Sequence, residues 1–197
     1  MNDTVKSQSA VAEVEALQKQ FTKGVQEVKA GLDCSTVYLD KVSLVEACLF
    51  LRDHHGYDEL IDICGVDLLD YPGVSSDVPR FEVVYQLLSV VNNKRLRLKV
   101  RLNDHELIDS VVEVWPTANW FEREAFEMYG VIFNHHPDLR RLLTDYGFEG
   151  HPMRKDFPCV GRAEMFFDEV QWRCVYKPNQ VENRELIPKT WPGVDRG

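Results

Sequence analysis

The amino-acid sequence predicts an α+β fold, in which helices cover one face of a mostly antiparallel sheet. Two observations carry this prediction. Apolar residues at spacings of three and four, typical of helices, occur in two stretches before residue 56. Between residues 59 and 102 the apolar spacing falls toward two in three neighbouring stretches, as in half-buried strands. A helix, a strand and a helix followed by a run of adjacent strands favours α+β architecture.

Two helices are predicted in the first 56 residues. The first covers residues 9–30 and ends at Gly31, because six apolar side chains form one helical stripe: Val11, Val14, Leu17, Phe21, Val25 and Val28. The second covers residues 43–55, with Ser43 as the N-cap and Gly56 as the residue that ends it.

The strands predicted next make up the sheet. The short β-branched stretch 35–40 predicts one strand, and residues 59–69, 80–91 and 94–102 predict three more. Asn92-Asn93 separates the last two stretches, and a two-residue link of this kind is suited to a hairpin.

A third helix is predicted over residues 120–129, with Asn119 as the N-cap and Gly130 as the stop. Two short runs near the end, Ala163–Phe167 and Gln171–Tyr176, predict a hairpin, which would be marginal on its own in water.

The predicted domains are a globular α+β domain over residues 1–137 and an extended, proline-rich, partner-binding tail over residues 138–197. The second region has no long helical or strand period, yet it contains Phe148, Phe157, Phe166, Phe167, Trp172, Tyr176 and Trp191. Such rings are expected to lie against something else, either the chain's own sheet or another polypeptide.

Composition excludes several function classes. The net charge of −9, from 23 basic and 32 acidic residues, argues against binding to nucleic acid or to anionic lipid, which need a basic surface. No stretch approaches the ~18 apolar residues of a membrane span. The five cysteines include no closely spaced pair of the kind that metal and cluster sites need, so we expect free thiols in a reducing compartment.

Residues 120–158 combine dense charge with interleaved aromatic side chains, which is the composition of a protein–protein interface core. Arg123 and Glu127, one helical turn apart, are expected to pair. An alternative from a different class is a metal-dependent hydrolase that uses Glu124, Glu127, His135 and His136, although the spacing differs from that of di-iron motifs.

Two stretches of this region, residues 122–130 and 136–158, together resemble the family of the 30 kDa subunit, also called the C subunit, of respiratory complex I, the NADH:quinone oxidoreductase. The resemblance is close over roughly forty consecutive positions, from residue 122 to residue 158. The chain departs from the family pattern at Glu127, where aspartate is more common, and at His135, where glycine or asparagine is.

The resemblance implies a non-redox structural subunit of the peripheral arm, in a complex that transfers electrons from NADH to quinone and couples this to proton translocation. It implies no catalytic residue, metal or cofactor on this chain, since FMN, iron–sulfur clusters and quinone belong to other subunits. The implied partners are the quinone-site subunit (the D subunit) and the terminal-cluster subunits (the B and I subunits). The implied location is the cytoplasmic side of a bacterial inner membrane, reached only through the complex.

The resemblance and the composition together predict a partner interface. Its expected residues are Glu122, Arg123, Glu124, His136, Asp138, Arg140, Arg141, Asp145, Tyr146, Arg154, Lys155, Asp156, Trp172 and Trp191. An alternative within the wider family is the corresponding subunit of a membrane-bound hydrogenase or of a dehydrogenase with another electron donor.

Overall fold

The main sheet has five strands. The structure is a computed structural model that describes residues 3–181 apart from 32, 76 and 162. For residues 3–11 only the backbone is described. The strands lie in the order β1-β2-β5-β4-β3, and all neighbours are antiparallel except the parallel pair β2–β5. Their bounds are β1 Val25–Ala30, β2 Ser35–Leu39, β3 Glu59–Asp67, β4 Phe81–Ser89 and β5 Lys94–Leu102.

Three helices are described, and each contributes side chains to the apolar cluster on one face of this sheet: α1 (Asp3–Gln20), α2 (Leu44–His55) and α3 (Ala118–Tyr129). A 3-10 turn, Lys41–Ser43, leads into α2. Leu17, Leu51 and Ala125 represent the three helices in the cluster, which also holds alternate residues of the strands. The predicted α+β class is therefore confirmed.

The predicted helix over residues 9–30 is wrong in its second half. The helix ends at Gln20, and β1 then pairs with β2. A β-bulge between Val25 and Glu27 inserts one residue, so that Val25 and Val28 both face the core although they are three positions apart. A bulged strand thus reproduced the spacing of a helix.

Most other predicted elements are confirmed. β4 and β5 form an antiparallel hairpin around the Asn92-Asn93 turn, in which Asn93 takes a φ of 48°. Gly56 ends α2 with a left-handed φ of 69°. α3 begins two residues earlier than predicted, after Thr117 instead of Asn119.

Two short strands escaped prediction, β6 (Leu107–Asp109) and β7 (Ile132–Asn134), which pair in parallel on either side of α3 in the sequence. Each is three residues long, too short to show a period. They matter because they fix both ends of the stretch that contains α3.

The chain divides into two compact units, Met1–Phe157 and Pro158–Gly197. The second unit contains the hairpin of β8 (Ala163–Asp168) and β9 (Arg173–Pro178), which confirms the predicted hairpin. The predicted boundary at residue 137 is corrected to residue 157, because side chains of the first unit bind the backbone of residues 138–157. Whether the tail binds a partner stays a prediction.

Candidate partner-binding surface

Glu122, on the buried side of α3, lies wholly inside the protein. One carboxylate oxygen accepts the N–H of Val111 at 2.7 Å, and the other accepts the Ser110 hydroxyl at 2.6 Å. Burial raises the pKa of Glu122 to about 7, although these two hydrogen bonds oppose the shift. The side chain therefore joins α3 to the turn that follows β6, and it offers no surface to a partner.

His136 lies beside Glu122, and its side chain is equally buried, with the Nε2 atom 4.0 Å from a Glu122 oxygen. Its Nδ1 atom accepts the N–H of Asp138 at 3.0 Å, so the ring proton is on Nε2 and is shared with the carbonyl oxygen of Asn119 at 3.1 Å. The histidine thereby connects the start of α3 to the chain that leaves β7.

Glu127 is the next buried acid of α3, and its carboxylate accepts three consecutive backbone N–H groups. They belong to Leu142 at 2.6 Å, Leu143 at 2.7 Å and Thr144. Burial alone would raise the pKa of this carboxyl, but the hydrogen bonds outweigh it and hold the pKa at about 2. A fully buried and ionised glutamate therefore fixes residues 142–144.

Arg123, which is only 6% exposed, binds the same segment through its carbonyl oxygens. Its Nε donates to the carbonyl of Arg140 at 3.0 Å, and its Nη2 donates to the carbonyl of Arg141 at 3.1 Å. The expected pair between Arg123 and Glu127 is therefore wrong. Arg123 donates to backbone carbonyls of one loop, and Glu127 accepts backbone N–H groups of the same loop. Backbone groups of an irregular segment find their partners in the side chains of a helix.

Residues 151–154 are held against the end of α3. His151 Nδ1 lies 2.9 Å from the carbonyl oxygen of Glu127. Arg154 donates to the carbonyl of Tyr129 at 2.6 Å and pairs with Asp104 at 2.9 Å. Gly130 is required at this point, because its φ is 79° and a Cβ atom would lie 2.5 Å from the Arg154 guanidinium.

Residues 155 and 156 are held against the sheet. Buried Asp67 accepts the backbone N–H of Lys155 at 3.0 Å, and the Lys155 ammonium donates to the carbonyl of Leu69 at 2.6 Å. Arg80 bridges Asp67 at 2.7 Å and Asp156 at 2.8 Å. Burial would raise the pKa of Asp67, but the bonds from Arg80 and two backbone amides hold it at about 2.

These contacts leave an exposed surface on residues 138–146, here called the loop surface, which consists of Asp138, Arg140, Leu143 and Tyr146. Asp138 and Arg140 form an exposed ion pair at 2.7 Å. Leu143 is 61% exposed and Tyr146 is 94% exposed. An apolar side chain, an aromatic ring and a charge pair are thus displayed on a backbone that the interior holds in place.

The structure separates the predicted interface residues into groups. Glu122 and Arg123 are corrected: both are buried and serve the chain's own packing, so they present no partner surface. His136, Arg154, Lys155 and Asp156 also bind other parts of the chain. Arg141 lies near Gly150, and Asp145 accepts the N–H of Gly147. The partner-binding role of the exposed residues stays a prediction.

Three of the predicted residues lie elsewhere. Glu124 is on the exposed side of α3, away from the buried acids. Trp172 is 78% exposed on the hairpin of the second unit, 5.4 Å from the Phe167 ring. Trp191 lies outside the described residues.

The alternative of a metal-dependent hydrolase finds no support. In the part of the chain that the structure describes, no three His, Cys, Asp or Glu side chains are placed to hold a metal ion. Glu127 binds three amides, and His136 binds Asn119 and Asp138. Within the same described residues, no helix is long and apolar enough to cross a membrane.

Sequence reasoning missed Asp67, Arg80, Asp104 and Ser110, which hold residues 138–157 or the turn before α3. Each belongs to a pair more than ten residues apart, and no local pattern marks such a contact. The fold and these contacts together define a class of α+β domain that presents an ordered irregular loop beside its last helix.

Comparison with known proteins places the chain within that class. The family model described as "Respiratory-chain NADH dehydrogenase, 30 Kd subunit" matches residues 37–163. Two similar proteins are the C subunits of the NADH-quinone oxidoreductases of Coxiella burnetii and Acidithiobacillus ferrooxidans. The first is 42% identical and covers 89% of this chain and 90% of the relative. The second is 52% identical and covers 78% of each.

Solved structures agree. A trypsin-resistant fragment (1–134) of Nqo5 is 30% identical, with a TM-score of 0.56, and the match covers 64% of this chain and 99% of the fragment. A chain of an archaeal membrane-bound sulfane sulfur reductase shares the fold at 18% identity, with a TM-score of 0.62 over 77% of this chain and 86% of that chain. The chain belongs to the family of the 30 kDa subunit of respiratory-chain NADH dehydrogenase.

Proposed function

We propose that this chain is a non-redox structural subunit in the peripheral arm of NADH-quinone oxidoreductase, the role of the C subunit. The relatives of closely similar length carry that name. The complex would transfer electrons from NADH to quinone and couple this to proton translocation, with the chain contributing binding surfaces and no redox chemistry. On this proposal FMN, iron–sulfur clusters and quinone are held by other subunits.

One observation carries the structural part of the proposal: the loop surface is exposed although its backbone is fixed from within. Arg123 and Glu127 bind the backbone of residues 140–144, while Leu143 and Tyr146 face solvent. Ordering a loop before binding removes much of the entropy cost of association. Exposed tyrosine and arginine are also the residue types that dominate binding energy at interfaces.

The proposed partners of this surface are other subunits of the peripheral arm, chiefly the quinone-site (D) subunit and the terminal-cluster (B and I) subunits. The hairpin of the second unit, with exposed Met165, Phe167, Trp172 and Tyr176, is proposed as a further contact. A two-stranded hairpin is marginal by itself in water, so a partner is expected to cover its apolar side. The proposed location is the cytoplasmic side of a bacterial inner membrane.

The test is assembly of the complex in membranes that contain Arg140→Glu or Tyr146→Ala. Both side chains lie on the loop surface, so we expect each variant chain to stay folded. On a native gel it should be missing from the large band that oxidises NADH, which is the assembled complex. Lys23→Glu is the matched control, because it reverses an exposed charge of the same unit outside the loop surface. Normal assembly with lost turnover would instead assign the loop a direct functional role.

A further inference from the structure

Away from the loop surface, β3 and α3 enclose an open groove of about 240 Å³. Gly65 shapes its floor, because a Cβ atom at this position would lie 2.4 Å from the Tyr129 ring, which packs directly on the strand. Burial raises the pKa of the Cys64 thiol, which keeps it neutral. The apolar lining consists of Ile63, Cys64, Ala125, Met128, Tyr129 and Met153.

The same groove has an acidic rim on the α3 side, formed by Glu124, and Asp62 is a second acidic residue of its lining, on β3 opposite Gln86. Among the described residues neither carboxylate takes part in an ion pair. Two cations, Lys99 and Arg97, act electrostatically on Cys64, but each is already bound to a different carboxylate at 2.7 Å. The uncompensated charge at the groove is therefore negative.

Exposed apolar side chains flank this rim on both elements. Trp120 is 65% exposed and lies one helical turn before Glu124 on the same face of α3. Ile61 is 43% exposed and precedes Asp62 on β3, which is an edge strand of the sheet. Tryptophan is among the residues most enriched at binding hot spots, and clustered exposed apolar groups mark interaction sites.

We propose that this groove binds a partner polypeptide, which inserts one apolar side chain into the floor and places a lysine or arginine beside Glu124. The volume suits a single side chain, and the rim selects a positive neighbour by charge complementarity. A second copy of this chain fits poorly, because a symmetric contact would bring two acidic rims together on proteins of net charge −9. The site lies on a different side of α3 from the loop surface.

The test is site-directed photocross-linking of the full chain within its complex. A benzophenone amino acid replaces Met153 at the groove or, as a second probe, Trp120, and it replaces Val91, an exposed turn residue, as the control. We expect Met153 and Trp120 to cross-link to one polypeptide, at a segment with an apolar residue next to a lysine or arginine. Adding Glu124→Lys should reduce the adduct yield roughly tenfold, since like charges then oppose each other.

Reversing the identified cation on the partner should restore the adduct, and Glu124→Gln should give an intermediate yield. The proposal is overturned by any of four results: an adduct between two copies of this chain, an adduct insensitive to Glu124→Lys, equal labelling from Val91, or no adduct from Met153 and Trp120. A native gel of the same membranes reports assembly separately. If neither the Met153 nor the Trp120 probe gives an adduct in membranes that assemble the complex normally, the groove is refuted without touching the proposed function.

Discussion

The β4–β5 hairpin and residues 138–157 are neighbouring parts of one folded unit, but different forces hold them. The hairpin buries Tyr85, Leu96 and Leu98 in regular strands whose backbone groups pair with each other. Residues 138–157 contain no helix or strand, and their backbone groups pair with Arg123, Glu127 and Asp67.

The contrast teaches that an ordered segment does not need its own regular structure if a scaffold supplies the missing hydrogen-bond partners. Buried charges are costly unless they are paired or hydrogen-bonded. Here the buried Arg123 and Glu127 meet that condition only because the loop lies across them. The helix needs the loop for its charges as much as the loop needs the helix for its backbone.

The largest expected effect belongs to the hairpin side of the comparison. Leu98→Ala should lower the free energy of unfolding by about 2–5 kcal/mol, because Leu98 is fully buried and its truncation leaves a cavity. Urea unfolding of the full chain measures it. Val91→Ala, at an exposed turn position of the same hairpin, is the control and should be nearly neutral. An equal loss in both variants would contradict the assignment of the core.

A smaller but more local effect is expected from Glu127→Gln. The amide keeps one acceptor oxygen in place of the charge that three N–H groups share, which should cost about 1–3 kcal/mol. Trypsin should then cut faster after Arg140 and Arg141 than in the unchanged chain. Glu124→Gln, on the exposed side of the same helix, should leave the cleavage rate unaltered. Equal rates for Glu127→Gln and the unchanged chain would show that the carboxylate does not hold the loop.

The pH dependence of stability should separate the two buried acids. Glu122 has a folded pKa raised to about 7, so its favourable contribution is complete below about pH 4.5 and is lost as pH rises through 7. Glu127 has a folded pKa near 2, so its contribution is complete above about pH 4.5 and is lost as pH falls toward 2.

Between pH 4.5 and 7, Glu122→Gln should therefore flatten the pH profile of the unfolding free energy. The slope removed should be no steeper than about 1.4 kcal/mol per pH unit, the limit for one proton. Urea unfolding at several pH values measures the profile. An unchanged slope in the variant would mean that Glu122 does not bind a proton in this range.

The smallest effect is expected on the loop surface itself. Asp138→Asn breaks an exposed ion pair with Arg140 and should leave the stability of the isolated chain unchanged within error. The same change should still reduce assembly of the complex, measured on a native gel. Clear destabilisation of the isolated chain would place Asp138 among the structural contacts instead.

Prediction from sequence succeeded where side chains repeat with a period. Strands such as β4 and β5 and the stop at Gly130 were found in this way, whereas the bulge in β1 produced a helical spacing in a strand. For the loop surface, the sequence offered only a composition rich in charged and aromatic residues, from which an interface was predicted. Its internal contacts, such as that between Asp67 and Lys155, join residues far apart in sequence and leave no local pattern.

The domain boundary shows the same limit. Residues 138–157 lack periodicity and are rich in aromatic rings, so the sequence assigned them to a partner-dependent tail. The structure shows instead that long-range polar contacts join them to the first unit, up to Phe157. The similar protein Nqo5 was solved as a trypsin-resistant fragment (1–134). Trypsin digestion of this full chain would show whether its own resistant fragment includes residues 138–157.

Hydrogen exchange at the amides of Leu142, Leu143 and Thr144, in the isolated chain, measures most directly whether the interior holds the loop. We expect these three amides to be protected, and Glu127→Gln but not Glu124→Gln to remove that protection. Exchange at the rate of an unstructured peptide in the unmodified chain would contradict this and return the order of residues 138–157 to a binding partner.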